Sequence, residues 1–130
     1  MENKYLFSAG ILMILIAILH LVGGQITLVD PMIDSNMIQQ EKVEWLGAWH
    51  CISILLFYFG YVLLKNGKKQ STKQTELIKF IAYMCLLFSI SFIGSSIFLQ
   101  KHAPQYILFI PMAVILYFGL KKMEINTTTV

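Results

Sequence analysis

No Asp, Glu, Lys or Arg occurs between Tyr5 and Val29, and the same holds for Trp45–Leu64, Phe80–Gln100 and Ala103–Leu120. These uncharged runs constrain the fold more than any other feature, because about 20 apolar residues are what an α-helix needs to cross a bilayer core. The last run is the shortest and still long enough to span. Lipid offers no partner to free backbone N–H and C=O groups, so a spanning run is helical unless the chain closes into a barrel. The alternating segments of about 10 residues that mark barrel strands are absent. Composition agrees: of 130 residues, 57% are hydrophobic and only 13% charged, against about 25% charged in soluble domains. The expected structure is all-α, a polytopic membrane protein built as a four-transmembrane-helix up-down bundle. It forms a single domain over residues 1–130, with helices at about 5–29, 44–65, 78–100 and 104–121.

The lysines predict the threading, since basic residues flanking membrane helices stay on the cytoplasmic side. Lys65, Lys68, Lys69, Lys73 and Lys79 follow the second run, Lys121 and Lys122 follow the fourth, and Lys4 precedes the first. The other two connections hold only Lys42 and Lys101. Both termini are therefore expected in the cytoplasm, with the chain in the cell (inner) membrane. The aromatic residues agree with this threading: Tyr58, Tyr61 and Tyr83 fall near the inner boundary, Trp45, Trp49 and Tyr106 near the outer one. The net charge of +3 reports orientation rather than nucleic-acid binding, and without arginine no guanidinium is available for bidentate phosphate recognition.

Local signals add detail. The first run is too long for a cleaved signal peptide, whose apolar region is about 7–15 residues, although Val22-Gly23-Gly24 offers small residues for cleavage. Asp30-Pro31 reads as a stop, followed by turn chemistry at Asp34-Ser35-Asn36; Met37 to Glu44 favour an early, protruding start of the second helix. Asn66-Gly67 reads as the close of that helix, with Ser71, Thr72 or Thr75 able to start the third, and the tail Asn126–Val130 reads as frayed. Ser91, Gly94, Ser95 and Ser96 are small residues suited to close helix packing in lipid. Pro111 lies inside the fourth helix and removes a backbone donor. Cys51 and Cys85 fall at different depths, about 10 Å apart along the axis, too far for a disulfide.

Ionisable residues inside a membrane segment mark candidate functional sites, because burying them is expensive. His20 and His50 fit that description, and His102 stands in the connection before the fourth helix. All three fall on the outer side, with Gln25, Trp49, Ser53, Ser91 and Ser95 at similar depth and Gly23-Gly24 leaving room beside His20. If the first helix surfaces near Gln25, His20 lies about 7–8 Å down, close to the roughly 9 Å of His50; if it surfaces at Asp30, about 15 Å. Two imidazoles at one level could take the axial positions of haem b, hold a transition metal with a third ligand, or exchange protons with a substrate. The plainer alternative is that each histidine hydrogen-bonds a neighbouring helix and clips the bundle together. No His-Glu-x-x-His or Cys-x-x-Cys spacing sharpens the metal reading.

Several functions are set aside. Proton-coupled export by small four-helix transporters needs an embedded carboxylate, and none of the four runs has one. Thiol-redox chemistry needs paired cysteines. Acyl or phosphoryl transfer needs a base and an orienting group beside the nucleophile, and no carboxylate lies at the depth of the serines.

His20-x4-Gln25 followed by Trp49-His50 resembles a set of small uncharacterised bacterial four-helix integral membrane proteins. The likeness covers the first half of the chain and implies the fold and little else. That set is expected to carry glutamate at the position of Gln25, so an ion partner for a histidine is absent here. The expected function is therefore a ligand site of His20, Gln25, Trp49, His50, Ser91 and Ser95 that binds a small molecule, a lipid portion, or a metal or haem through His20 and His50. The alternative is a non-catalytic accessory subunit or scaffold of a larger membrane complex, docking a membrane-protein partner or a second copy. An intramembrane enzyme is the third reading, without a visible catalytic set.

Overall fold

The computed structural model describes residues 2–68 and 74–128. Among these no strand occurs, and the chain forms four long helices: α1 (Lys4–Ile33), α2 (Gln39–Lys68), α3 (Thr75–Leu99) and α4 (Tyr106–Thr128). All four are long and apolar enough to cross a membrane, so by length and hydropathy this is a multi-pass membrane protein. Lys69, Ser71, Thr72, Lys73, Thr129 and Val130 lie outside the described residues.

Lipid tails are as apolar as leucine, so the helices are held together by close packing and hydrogen bonds rather than by escape from water. The α1–α2 seam shows how. A Cβ at Gly10 would overlap Leu64, one at Gly60 would overlap Ile14, and one at Gly67 would overlap the backbone of Phe7. The pairing runs antiparallel, and each glycine lets one helix seat a neighbour's side chain or backbone against its own. α1 packs on α2 and on α4, and α4 packs on α3, giving the order α2–α1–α4–α3 around the bundle. Leu6, Ala9, Met13 and Ile16 recur at helical spacing along α1 and are buried against Leu63, Phe59, Ile81, Met112 and Leu116 of the same core.

The terminal end is tied by asparagines. Asn3 is fully buried. Its Oδ1 accepts from the Leu6 N–H at 3.3 Å and caps α1, its Nδ2 donates to the Gly119 carbonyl at 2.8 Å, and its own N–H donates to the Gly67 carbonyl at 2.9 Å. Asn66, also buried, donates to the Val62 carbonyl at 2.8 Å and to the Gln74 side chain.

Four local expectations are corrected. Asp30-Pro31 does not stop α1, which runs on through Pro31 to Ile33 after the π-helical turn over Gln25–Val29. Asn66-Gly67 does not close α2, which continues to Lys68; Gly67 keeps an ordinary φ and is needed for the approach of Phe7. The helix expected to end near residue 121 reaches Thr128. Finally, Ser91, Gly94 and Ser95 do not pack between helices of this chain: all three are exposed, and a Cβ at Gly94 would meet nothing within 4 Å. Ser96 of that group bridges the turn after α3 by donating to the Phe92 carbonyl and accepting from the Ala103 N–H.

Candidate functional site

The core does not extend to the end of the bundle opposite the termini. Above Ile16, Leu56 and Phe109 the helices part around a cleft of about 560 Å³ to which all four contribute, within the range of about 300–1,000 Å³ usual for small-molecule sites.

One wall is an aromatic ladder. The His20 imidazole stacks on the Trp49 indole with centroids 3.8 Å apart and planes inclined by 19°, and Trp49 stacks on Trp45 at 5.3 Å and 11°. The ladder depends on backbone. Gly24 is buried beneath the Trp49 ring, and a Cβ there would overlap the indole. Around it α1 widens into π-helical turns over Leu19–Gly23 and Gln25–Val29, a departure often found at functional positions. Thr27 donates its hydroxyl to the Gly23 carbonyl at 2.9 Å, a tie between these two turns. The opposite wall is built by Phe88, Phe92 and Phe109, with Phe109 at 5.4 Å from Phe88 and 6.3 Å from Phe92. Gln105, at the start of the fourth span, completes the lining with Leu108.

Polar atoms of three lining residues stand out. His20 Nε2, Trp49 Nε1 and Gln105 Oε1 are buried, and none has a hydrogen-bond partner among the described residues. Buried polar side-chain atoms are normally partnered, and each orphan costs about 1–3 kcal/mol. That three such atoms belong to residues around one cleft is the chemical signature of the site. No Asp, Glu, Lys or Arg lines it.

Of the residues expected from the sequence, His20, Trp49 and Ser91 line the cleft. Gln25, His50 and Ser95 are not part of the lining. Gln25 spends its amide on Asp30 Oδ1 at 2.7 Å, a contact within α1. His50 follows Trp49 and so lies near the level of His20, but it is exposed, one helical step away from the face that Trp49 presents. Ser91 is at the rim, its hydroxyl donated to the Leu87 carbonyl. Ser53 is buried and donates to the Trp49 carbonyl at 3.0 Å, and His102 is exposed, edge-on to Tyr106.

A haem or metal bound jointly by His20 and His50 requires both rings to converge, and His20 instead turns its face to an indole while His50 points elsewhere. Among the described residues no group of three or more His, Cys, Asp or Glu side chains is arranged to hold an ion. Sequence reasoning missed Gln105 and the part played by Trp45. Gln105 is detectable as a polar residue opening an otherwise apolar span at the depth of His20, whereas Trp45 looks the same as any interfacial tryptophan. No family model, curated protein or solved structure matches this chain.

Proposed function

We propose that this protein is a small multi-pass protein of a bacterial inner membrane, with its termini in the cytoplasm, that binds a small organic molecule or a lipid portion in the cleft beside His20 and Trp49. The lysine distribution supports the orientation, under which the cleft would lie in the outer half of the bilayer, and the likeness to small bacterial four-helix membrane proteins supports the fold. The observation that carries the binding reading is the coincidence of three unpartnered buried polar atoms with one apolar cleft of ligand size. A ligand supplying those partners recovers free energy that the empty cleft forgoes. Carboxylate-dependent chemistry has no group to use here, so the reading is of a binding protein rather than an enzyme.

The test is purification in mild detergent followed by native mass spectrometry, an absorption spectrum and metal analysis, wild type beside His20→Ala. A non-covalent organic adduct that is lost in the variant supports the reading. A Soret band or a stoichiometric metal overturns it.

The accessory-subunit alternative draws on a different observation, the exposed small residues Ser91, Gly94 and Ser95 on α3, which would let a helix of another membrane protein approach closely. It requires a partner that co-purifies with wild type and is lost in Gly94→Leu.

A further inference from the structure

We propose that the cleft opens sideways into the bilayer between α2 and α3, and that it takes a single-chain, uncharged amphiphile whose head carries both a hydroxyl and a carbonyl oxygen. This deepens the binding reading above and rests on it.

The direction of opening follows from the packing. α2 and α3 are the neighbours that do not form a closely packed pair. They meet towards the terminal end, where Phe59 lies edge-on to Phe80 at 6.2 Å and Asn66 donates to Gln74. Exposed lining residues occur on all four helices, Ile52 of α2 and Ser91 of α3 among them, with Leu19 and Leu28 of α1 and Leu108 of α4; what singles out the α2–α3 flank is that no packed seam closes it. In a membrane that flank faces acyl chains. An amphiphile dissolved in the leaflet can thus slide its chain over Ile52 and Phe92 towards the floor at Leu56 and Phe109 without crossing water.

The head group follows from the unpartnered atoms. Trp49 Nε1–H only donates, so the ligand must offer an acceptor; Gln105 Oε1 only accepts, so it must offer a donor; His20 Nε2 serves either way. A glycerol ester head supplies a carbonyl and hydroxyls at once. A charged head finds no counter-charge in the lining, and burying an unpaired charge is far costlier than burying a hydroxyl.

The protein carries its own reporter, since both tryptophans, Trp45 and Trp49, line the cleft. The full chain in nanodiscs is titrated with a monoacylglycerol brominated in mid-chain, and intrinsic fluorescence is read with and without excess unbrominated monoacylglycerol. The expected result is saturable quenching reversed by the competitor, with a brominated lysophosphocholine of equal chain length binding at least about tenfold more weakly. His20→Ala weakens binding by about three- to tenfold, the loss of one hydrogen bond. Ser91→Phe, at the rim, weakens or slows it by about tenfold or more, while Ile54→Phe, which lies outside the lining on the same helix as Ile52, leaves it unchanged. Circular dichroism checks that each variant keeps wild-type helicity. Saturable binding that is equal for both heads and indifferent to Ser91→Phe overturns this inference and leaves the binding site standing. The absence of saturable quenching by either probe, together with no native adduct, overturns both.

Discussion

The imidazole of His20 lies on the indole of Trp49 with ring centroids 3.8 Å apart and planes 19° from parallel. Residues 20 and 49 come from different helices, and their stacking requires a Cβ-free position at Gly24 beside the indole. The glycine, the tryptophan and the histidine are one device, and substitutions in it have separable effects.

Gly24→Ala forces the Trp49 ring off its seat. We expect a loss of about 1–3 kcal/mol, as for overpacked cores, together with a changed tryptophan emission maximum. Gly23→Ala is the control, because a Cβ there meets nothing within 4 Å. It should unfold at or slightly above the wild-type temperature, since alanine favours the helix by up to about 1 kcal/mol. Thermal unfolding in mild detergent reads both, and equal behaviour of the two variants would refute the seat.

His50→Ala should leave ligand binding within twofold of wild type, roughly the noise of such a comparison and less than one hydrogen bond, because His50 is exposed and outside the cleft lining. His20→Ala should not. Equal losses in the two, accompanied by loss of a chromophore, would restore a site shared between the histidines. Addition of a strong chelator should leave the unfolding temperature of the wild type unchanged.

The α1–α2 seam predicts a graded series. Gly10→Ala and Gly67→Ala each place a methyl group against a neighbouring helix, at Leu64 and Phe7, and should destabilise by about 1–3 kcal/mol. Gly47→Ala, on the same helix as Gly67 and with open space around it, should be neutral or slightly stabilising. Unfolding of the purified protein by increasing denaturing detergent orders the variants.

Asn3→Ala removes the α1 cap and the side-chain tie to the Gly119 carbonyl of α4. A loss of about 1–3 kcal/mol is expected. Asn3→Ser should recover only the share due to the cap, about 1 kcal/mol, because a serine hydroxyl is too short to reach α4. Amide hydrogen exchange at the first turn of α1 distinguishes the two: protected in the serine variant, open in the alanine variant.

A cysteine placed at Ser35, in the connection between α1 and α2, should react with a membrane-impermeant maleimide in intact spheroplasts, in a Cys51→Ser, Cys85→Ser background. One placed at Glu2 should react only after lysis. The reverse pattern would turn the protein over and put the cleft on the cytoplasmic side.

Much of the fold was legible because it depends on averages. Four uncharged runs mean four helices in any arrangement, since a bilayer accepts no unpaired backbone, and this requirement ignores which residue faces which. Boundaries were less legible: Pro31 and Gly67 carry ordinary stop signals that neighbouring turns and a close helix overrule. The site was half legible. His20 and Trp49 stood out as polar or aromatic residues at one depth, but depth is a one-dimensional coordinate, and it credited His50 equally.

From the sequence alone came the number of spans, the expected sense of threading and the depth at which polar groups gather, because length, hydropathy and flanking charge act along a single axis. The tertiary structure alone decided direction around that axis. It turned Trp49 inward and His50 out, brought Gln105 to the cleft from the turn before the fourth helix, left Ser91, Gly94 and Ser95 exposed, and kept α2 from closing on α3. Helix rotation in a membrane is set by which side chains and glycines interlock, and in a solvent as apolar as the side chains themselves no hydrophobic pattern records that choice.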